Sequence, residues 1–166
     1  MAVGPTPPRS GSVRRVVARV APAVVWAAVI FTLSAQPSLA TPSALVVELL
    51  RRGGWPPEAY QYVDFGLRKT AHFTEYAILA VLIQHALGLA AGWSAERRLL
   101  VAWGLAALYA ISDEFHQSFV PGRTPAATDV LIDACGALAG LLLCRVALRW
   151  WAGHRAPPAL SHSQSR

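Results

Sequence analysis

Leu99–Arg123 reads LLVAWGLAALYAISDEFHQSFVPGR. An apolar run, Leu99–Ile111, passes without a break into Ser112, Asp113, Glu114, His116 and Gln117, and then into the turn-forming pair Pro121-Gly122. Ser94 stands where a helix N-cap belongs, so the pattern predicts one helix from about Ala95 to Gln117. That length approaches the ~20 residues that cross a bilayer, where a helix satisfies its own backbone polar groups. The stretch therefore sets adjacent carboxylates, an imidazole and an amide at the end of a segment suited to lipid.

The rest of the chain agrees with a membrane setting. Of its 166 residues, 54% are hydrophobic and 14% charged, against roughly a quarter charged in soluble domains. Three further apolar segments run from about Val16 to Leu33, Lys69 to Gly92 and Pro125 to Trp150, the last opened by Thr124-Pro125. The expected fold is all-α, a polytopic membrane protein with about four transmembrane helices. Small, polar and Pro-rich ends predict disordered tails over 1–12 and 152–166, flanking one membrane domain over 13–151. The formal net charge is +6, but the arginines stand in short groups beside apolar segments, so they read as topology charges and nucleic acid is not an expected partner. Cys135 and Cys144 share one apolar helix, about 13 Å apart along its axis, too far for a disulfide, and read as packing residues.

Between the first two segments, Thr41-Pro42 opens a short helix with Leu45, Val46, Leu49 and Leu50 on one side, closed by Gly53-Gly54. It is expected to lie on the extracytoplasmic membrane surface, with Trp55, Tyr60 and Tyr62 at headgroup level. A rival reading takes Arg14-Arg15, the following apolar core and Ser38-Leu39-Ala40 as a cleaved signal peptide. Arg9, Arg14, Arg15 and Arg19, then Arg97 and Arg98, then Arg145, Arg149 and Arg155 outweigh Arg51, Arg52, Arg68, Lys69 and Arg123 on the other side. The positive-inside rule accordingly places both termini in the cytoplasm of a multi-pass protein of the bacterial inner membrane. Three helices then carry polar ends to the outer face.

Those ends form a constellation. Lys69, the only lysine, shares a helix face with His72 and Tyr76, and Glu75 sits at its edge. On the last helix Asp129, Asp133, Gly136 and Gly140 fall within about 60° of one another, joining two acids to a small-residue stripe that admits a close neighbour. Carboxylates at that depth are costly unless cations or donors meet them. Lys69, Arg123, His72 and Gln117 are the available partners. His72, Glu75, Asp113 and Glu114 are the candidate acid–base residues, and Lys69, Tyr76, Gln117, Arg123, Asp129 and Asp133 the candidate substrate-binding set. Without a HExxH or paired-cysteine signature, neither a metal nor another cofactor is expected, and no nucleophile elbow or Walker loop is present. A buried ion-pair network that only fixes helix packing is the competing reading of the same residues.

FTLSAQP at Phe31–Pro37, KTAHFTEYAIL at Lys69–Leu79 and SDEFHQSFVPGRTPAATDVLIDACGALAG at Ser112–Gly140 carry a resemblance to the VanZ-like family of bacterial membrane proteins, covering about Val16–Leu148. Asp133 stands where the family pattern more often has Asn. The resemblance implies a cell-envelope protein of the inner membrane and a link to tolerance of the glycopeptide teicoplanin. It also implies that the polar residues named above are the family's signature. The expected partners are the bilayer and a lipid-linked envelope substrate whose headgroup is bound or modified at the outer leaflet. A non-catalytic lipid- or partner-binding protein is the alternative, and a small transporter ranks after it.

Overall fold

The structure is a computed structural model that describes residues 10–37 and 42–154. The described residues form five helices and no strand: α1 (Ser10–Ser34), α2 (Pro42–Arg52), α3 (Pro57–Leu87), α4 (Ala95–Gln117) and α5 (Ala127–His154). Two of them, α1 and α5, are long and apolar enough to cross a membrane. The expected signal-cleavage residues Ser38, Leu39 and Ala40, and most of both expected tails, lie outside the described residues.

The turn chemistry sets the boundaries of α2 and α4. Ser94 accepts a hydrogen bond from the Arg97 backbone N–H at 3.1 Å, so α4 begins at the residue its sequence indicates. Gly54 takes φ +74°, a left-handed conformation that glycine adopts at no steric cost, and the N–H of Trp55 donates to the Leu50 carbonyl to close α2. Glu48 pairs with both Arg51 and Arg52 at 2.8 Å along the exposed side of that helix.

Three expectations are corrected. The second long helix does not start at Lys69. It starts at Pro57, twelve residues earlier, and ends at Leu87 rather than Gly92. Pro57 at the first helical position, Glu58 in the first turn and an Asp64–Arg68 pair at 2.9 Å sustain the added turns, so Tyr60 and Tyr62 lie on α3 and not in a loop. The outer helices are also longer than expected, since residues 10–12 and 152–154 are helical. Cys135, expected to pack, is exposed on α5, and neither cysteine is bonded.

The tightest contact in the fold is between α3 and α5. A Cβ on Gly136 would stand 2.2 Å from the Phe73 carbonyl oxygen, and one on Gly140 would stand 2.6 Å from that of Ala77, so the two backbones meet where only glycine fits. On α4 the buried face steps from Leu99 through Ala102, Ala106 and Ala110, three small residues at helical spacing. Aromatic side chains tie the helices by donating to backbone carbonyls: Trp26 to Glu75 at 2.9 Å, Tyr109 to Ala27 at 2.7 Å and Trp103 to Ala134 at 3.0 Å. The buried face of α4 then changes character. Below Ala110 it continues at the same spacing as Asp113, Glu114 and Gln117, all buried. The helix that packs by alanine at one end thus delivers carboxylates into the bundle at the other.

Candidate functional site

At the end of the bundle where α4 finishes, the polar residues of α1, α3, α4, α5 and the α4–α5 connection converge. Lys69 on α3 forms an ion pair with Asp129 in the first turn of α5. One turn deeper, His72 Nδ1 lies 3.3 Å from Asp133 Oδ1, and Asp133 is fully buried. From α4, Asp113 Oδ2 accepts from Ser34 Oγ of α1 at 2.9 Å and from Gln117 Nε2 at 3.0 Å. Glu114 Oε2 accepts from the Ala126 backbone N–H at 2.9 Å, so the carboxylate fixes the entrance to α5. Arg123 donates through Nε to the Gln36 carbonyl at 3.3 Å, joining the α4–α5 connection to the chain after α1. Each of these contacts spans two elements except Gln117–Asp113, and together they hold the helix ends in one assembly.

Two cavities open onto this assembly. The smaller, of about 260 Å³, lies between α1, α2 and α3 and is lined by Ser34, Arg68, His72, Glu75 and Arg123. The larger, of about 1020 Å³, runs between α2, α3 and the α4–α5 connection and reaches Lys69, Gln117 and Asp129. Arg68, His72 and Arg123 line both. Burial, and after it the nearby Arg68, pulls the Arg123 guanidinium below its ordinary pKa, while Asp113, Glu114 and Glu75 oppose that shift. Arg68 pairs with Asp64 at 2.9 Å, whereas Arg123 donates to a backbone carbonyl, so Arg123 is the guanidinium at the shared wall that favours an anionic guest.

Of the ten residues read from the sequence, nine belong to the assembly. Lys69, His72, Gln117, Arg123 and Asp129 reach a cavity surface, as does Glu75, whereas Asp113, Glu114 and Asp133 lie behind the walls. Tyr76 departs from its expected substrate-binding place. It is fully buried, with its ring against Tyr109 at a centroid distance of 6.2 Å and its hydroxyl beside Asp113, and lines neither cavity, because one residue past Glu75 the helical phase turns it inward. His116 packs against Phe31 with ring centroids at 4.3 Å. Three contributors escaped the sequence reading: Ser34, Arg68 and the Gln36 carbonyl. Ser34 and Gln36 lie inside FTLSAQP and Arg68 precedes Lys69, but nothing in their types marks them apart from ordinary helix-end and surface residues.

Although the chain carries no local metal motif, the fold gathers a set of metal-ligand type. One ligand atom each from His72, Glu114 and Asp133 lies within 4.8 Å of the other two. These residues come from α3, α4 and α5, so no local sequence motif could announce them.

No match to this chain was found among curated proteins or among solved structures. The sequence model of one family, described as VanZ/LLP1, matches residues 19–148, which takes in α2, α3 and α4, most of α1 and α5, and every residue of the polar assembly. Together with two helices apolar enough to cross a bilayer, the match points to a membrane protein. The chain belongs to the VanZ/LLP1 family.

Proposed function

We propose that this protein is a multi-pass membrane protein whose polar assembly binds the anionic headgroup of a lipid-linked cell-envelope substrate at the outer leaflet. The observation that carries this reading is Arg123, which lines both cavities beside Arg68 and His72. Arg123 meets a backbone carbonyl, not a carboxylate, so its guanidinium keeps donors for a guest. His72 and Glu75 at the cavity wall are placed to move a proton on a bound group. Occupancy of an envelope precursor at such a site is how the chain would bear on glycopeptide tolerance.

The membrane arrangement in this proposal has four spans, α1, α3, α4 and α5, with α2 lying at the interface and both termini in the cytoplasm. Support comes from the outward faces. Leu100, Leu108 and Phe115 of α4 and Leu131 and Leu143 of α5 are all more than 60% exposed, and in water such rows would be large apolar patches. Leu45 and Leu49 on α2 are exposed in the same way. In a background with Cys135 and Cys144 replaced by alanine, Ser118→Cys should react with a membrane-impermeant maleimide on intact cells, and Ala91→Cys only after lysis. The opposite pattern would overturn the orientation, and with it the outward-facing site.

Headgroup binding is tested with short-chain phosphatidylglycerol against phosphatidylcholine of equal chain length, using purified protein in neutral detergent. The anionic lipid should bind more tightly, and Arg123→Gln should weaken it about tenfold, the worth of one charge-assisted contact. Equal affinity for both lipids would remove the basis for an anionic guest.

A further inference from the structure

Below the cavity floor lie two carboxylates that the headgroup reading does not use, next to the His72 that it does. Among the described residues, His72 Nδ1, Glu114 Oε1 and both carboxylate oxygens of Asp133 are buried without a hydrogen-bond partner. A native fold rarely leaves one such atom, and here there are several on three neighbouring side chains. Asp133 is completely buried and Glu114 is 6% exposed, so water has little access to either carboxylate. His72 lies between these buried acids and the cavities, whose walls it helps to form.

The charges balance only if one of the acids holds a proton or a further cation joins the group. Lys69 is committed to Asp129, and Arg123 donates to a carbonyl outside this group. A protonated His72 would match one of the two carboxylates and leave the other as an uncompensated buried charge, which is strongly unfavourable. A divalent cation balances both while the imidazole stays neutral. It would also take up the open lone pairs on all three side chains.

We propose that His72, Glu114 and Asp133 form a binding site for one divalent transition-metal ion of the zinc or manganese kind. One imidazole nitrogen with two carboxylates is a ligand set of borderline-to-hard character, suited to these ions and not to copper(I) or an iron–sulfur cluster. Three protein ligands leave a coordination position free, as at catalytic zinc centres. The ligand atoms lie within 4.8 Å of one another, and bonds of about 2.0–2.2 Å to one shared ion would draw them to about 3.4 Å apart. Glu114 is already supported for this task. Its Oε2 is held by the Ala126 N–H while Oε1 is buried and unpartnered, and that backbone donor supplies the outer-shell support that metal-bound carboxylates use. With His72 on the metal, Glu75 remains the cavity-wall residue able to accept a proton. The metal site shares His72 with the headgroup reading but stands on the buried atoms of Glu114 and Asp133, which line neither cavity.

Purified full-length protein, stripped with a chelator and dialysed, is titrated with Zn²⁺ and with Mn²⁺, and bound metal is counted by elemental mass spectrometry. The expected result is one ion per chain and a raised melting midpoint in detergent. Asp133→Asn should lower affinity by more than the ~10–100-fold that loss of an outer-shell partner costs, whereas Glu96→Gln at the opposite end of the bundle should retain it. Cobalt(II) added to the stripped wild-type protein should give visible d–d bands, a readout that needs no variant to fold. Wild-type protein that melts cooperatively yet takes up no ion, and shows no cobalt bands, would overturn the proposal. So would stoichiometric uptake that Asp133→Asn leaves unchanged in a folded variant.

Discussion

Gly136→Ala is expected to be among the most damaging single substitutions in this chain, although it adds one methyl group. The new Cβ would meet the Phe73 carbonyl oxygen at 2.2 Å and that residue's Cα and carbonyl carbon at 2.9 Å. These are backbone atoms, so no rotamer change can relieve the overlap and α3 must move away from α5. Overpacking of this kind costs about 1–3 kcal/mol and can cost more. The upper end applies here, because parting the helices also disturbs Lys69–Asp129 and His72–Asp133, which bridge the same pair. Gly140→Ala should follow closely, with its Cβ at 2.6 Å from the Ala77 carbonyl oxygen. Gly104→Ala on α4 is the contrast: nothing lies within 4 Å of its added Cβ, and the change should leave the melting midpoint unmoved or slightly raised. Detergent melting curves of the three variants decide the matter, and equal midpoints for Gly136→Ala and Gly104→Ala would show that the α3–α5 contact is looser than described.

The second large effect is expected from Lys69→Met, which keeps most of the side chain and removes its charge. The Lys69 and Asp129 side chains are 23% and 14% exposed, so the pair is partly desolvated. Removing one partner of a buried pair costs about 3–5 kcal/mol because the other is stranded. With this exposure the expected loss is about 2–3 kcal/mol. Lys69→Met with Asp129→Asn should recover most of it, since the double variant strands no charge. A double variant no more stable than Lys69→Met would mean that the lysine acts through something other than this pair.

The sequence told some parts of this molecule and withheld others, for physical reasons. Ala95–Gln117 was legible to the residue because a serine cap and a Pro-Gly turn bound it on each side. The glycine stripe was legible because Gly136 and Gly140 recur at helical spacing. The early turns of α3 were not, since residues 57–68 are polar and the search for lipid-compatible segments discards polar helix. The same twelve residues hold Arg68, which explains its omission from the site. For the polar assembly, residue types at the ends of three helices were enough to name nine members, but their pairing was not readable. Helical phase decided that Lys69 meets Asp129 and His72 meets Asp133, and that Tyr76 turns inward. The His72–Glu114–Asp133 group draws one residue from each of three helices, so only their packing could reveal it.

The unbroken length of α3 has a consequence for the lipid itself. At 1.5 Å per residue, its 31 residues span about 46 Å, against a hydrocarbon core of about 30 Å. The surplus of about 16 Å matches the early polar turns, so in the proposed arrangement they stand clear of the acyl chains as a rigid post. The height of the cavity mouth above the acyl chains is then a property of the host membrane as much as of the protein. Longer acyl chains would submerge the mouth and shorter ones would lift it into water, with tilt of α3 taking up part of the difference. Acyl-chain length thereby becomes a control on access to the site that requires no change in any of its residues.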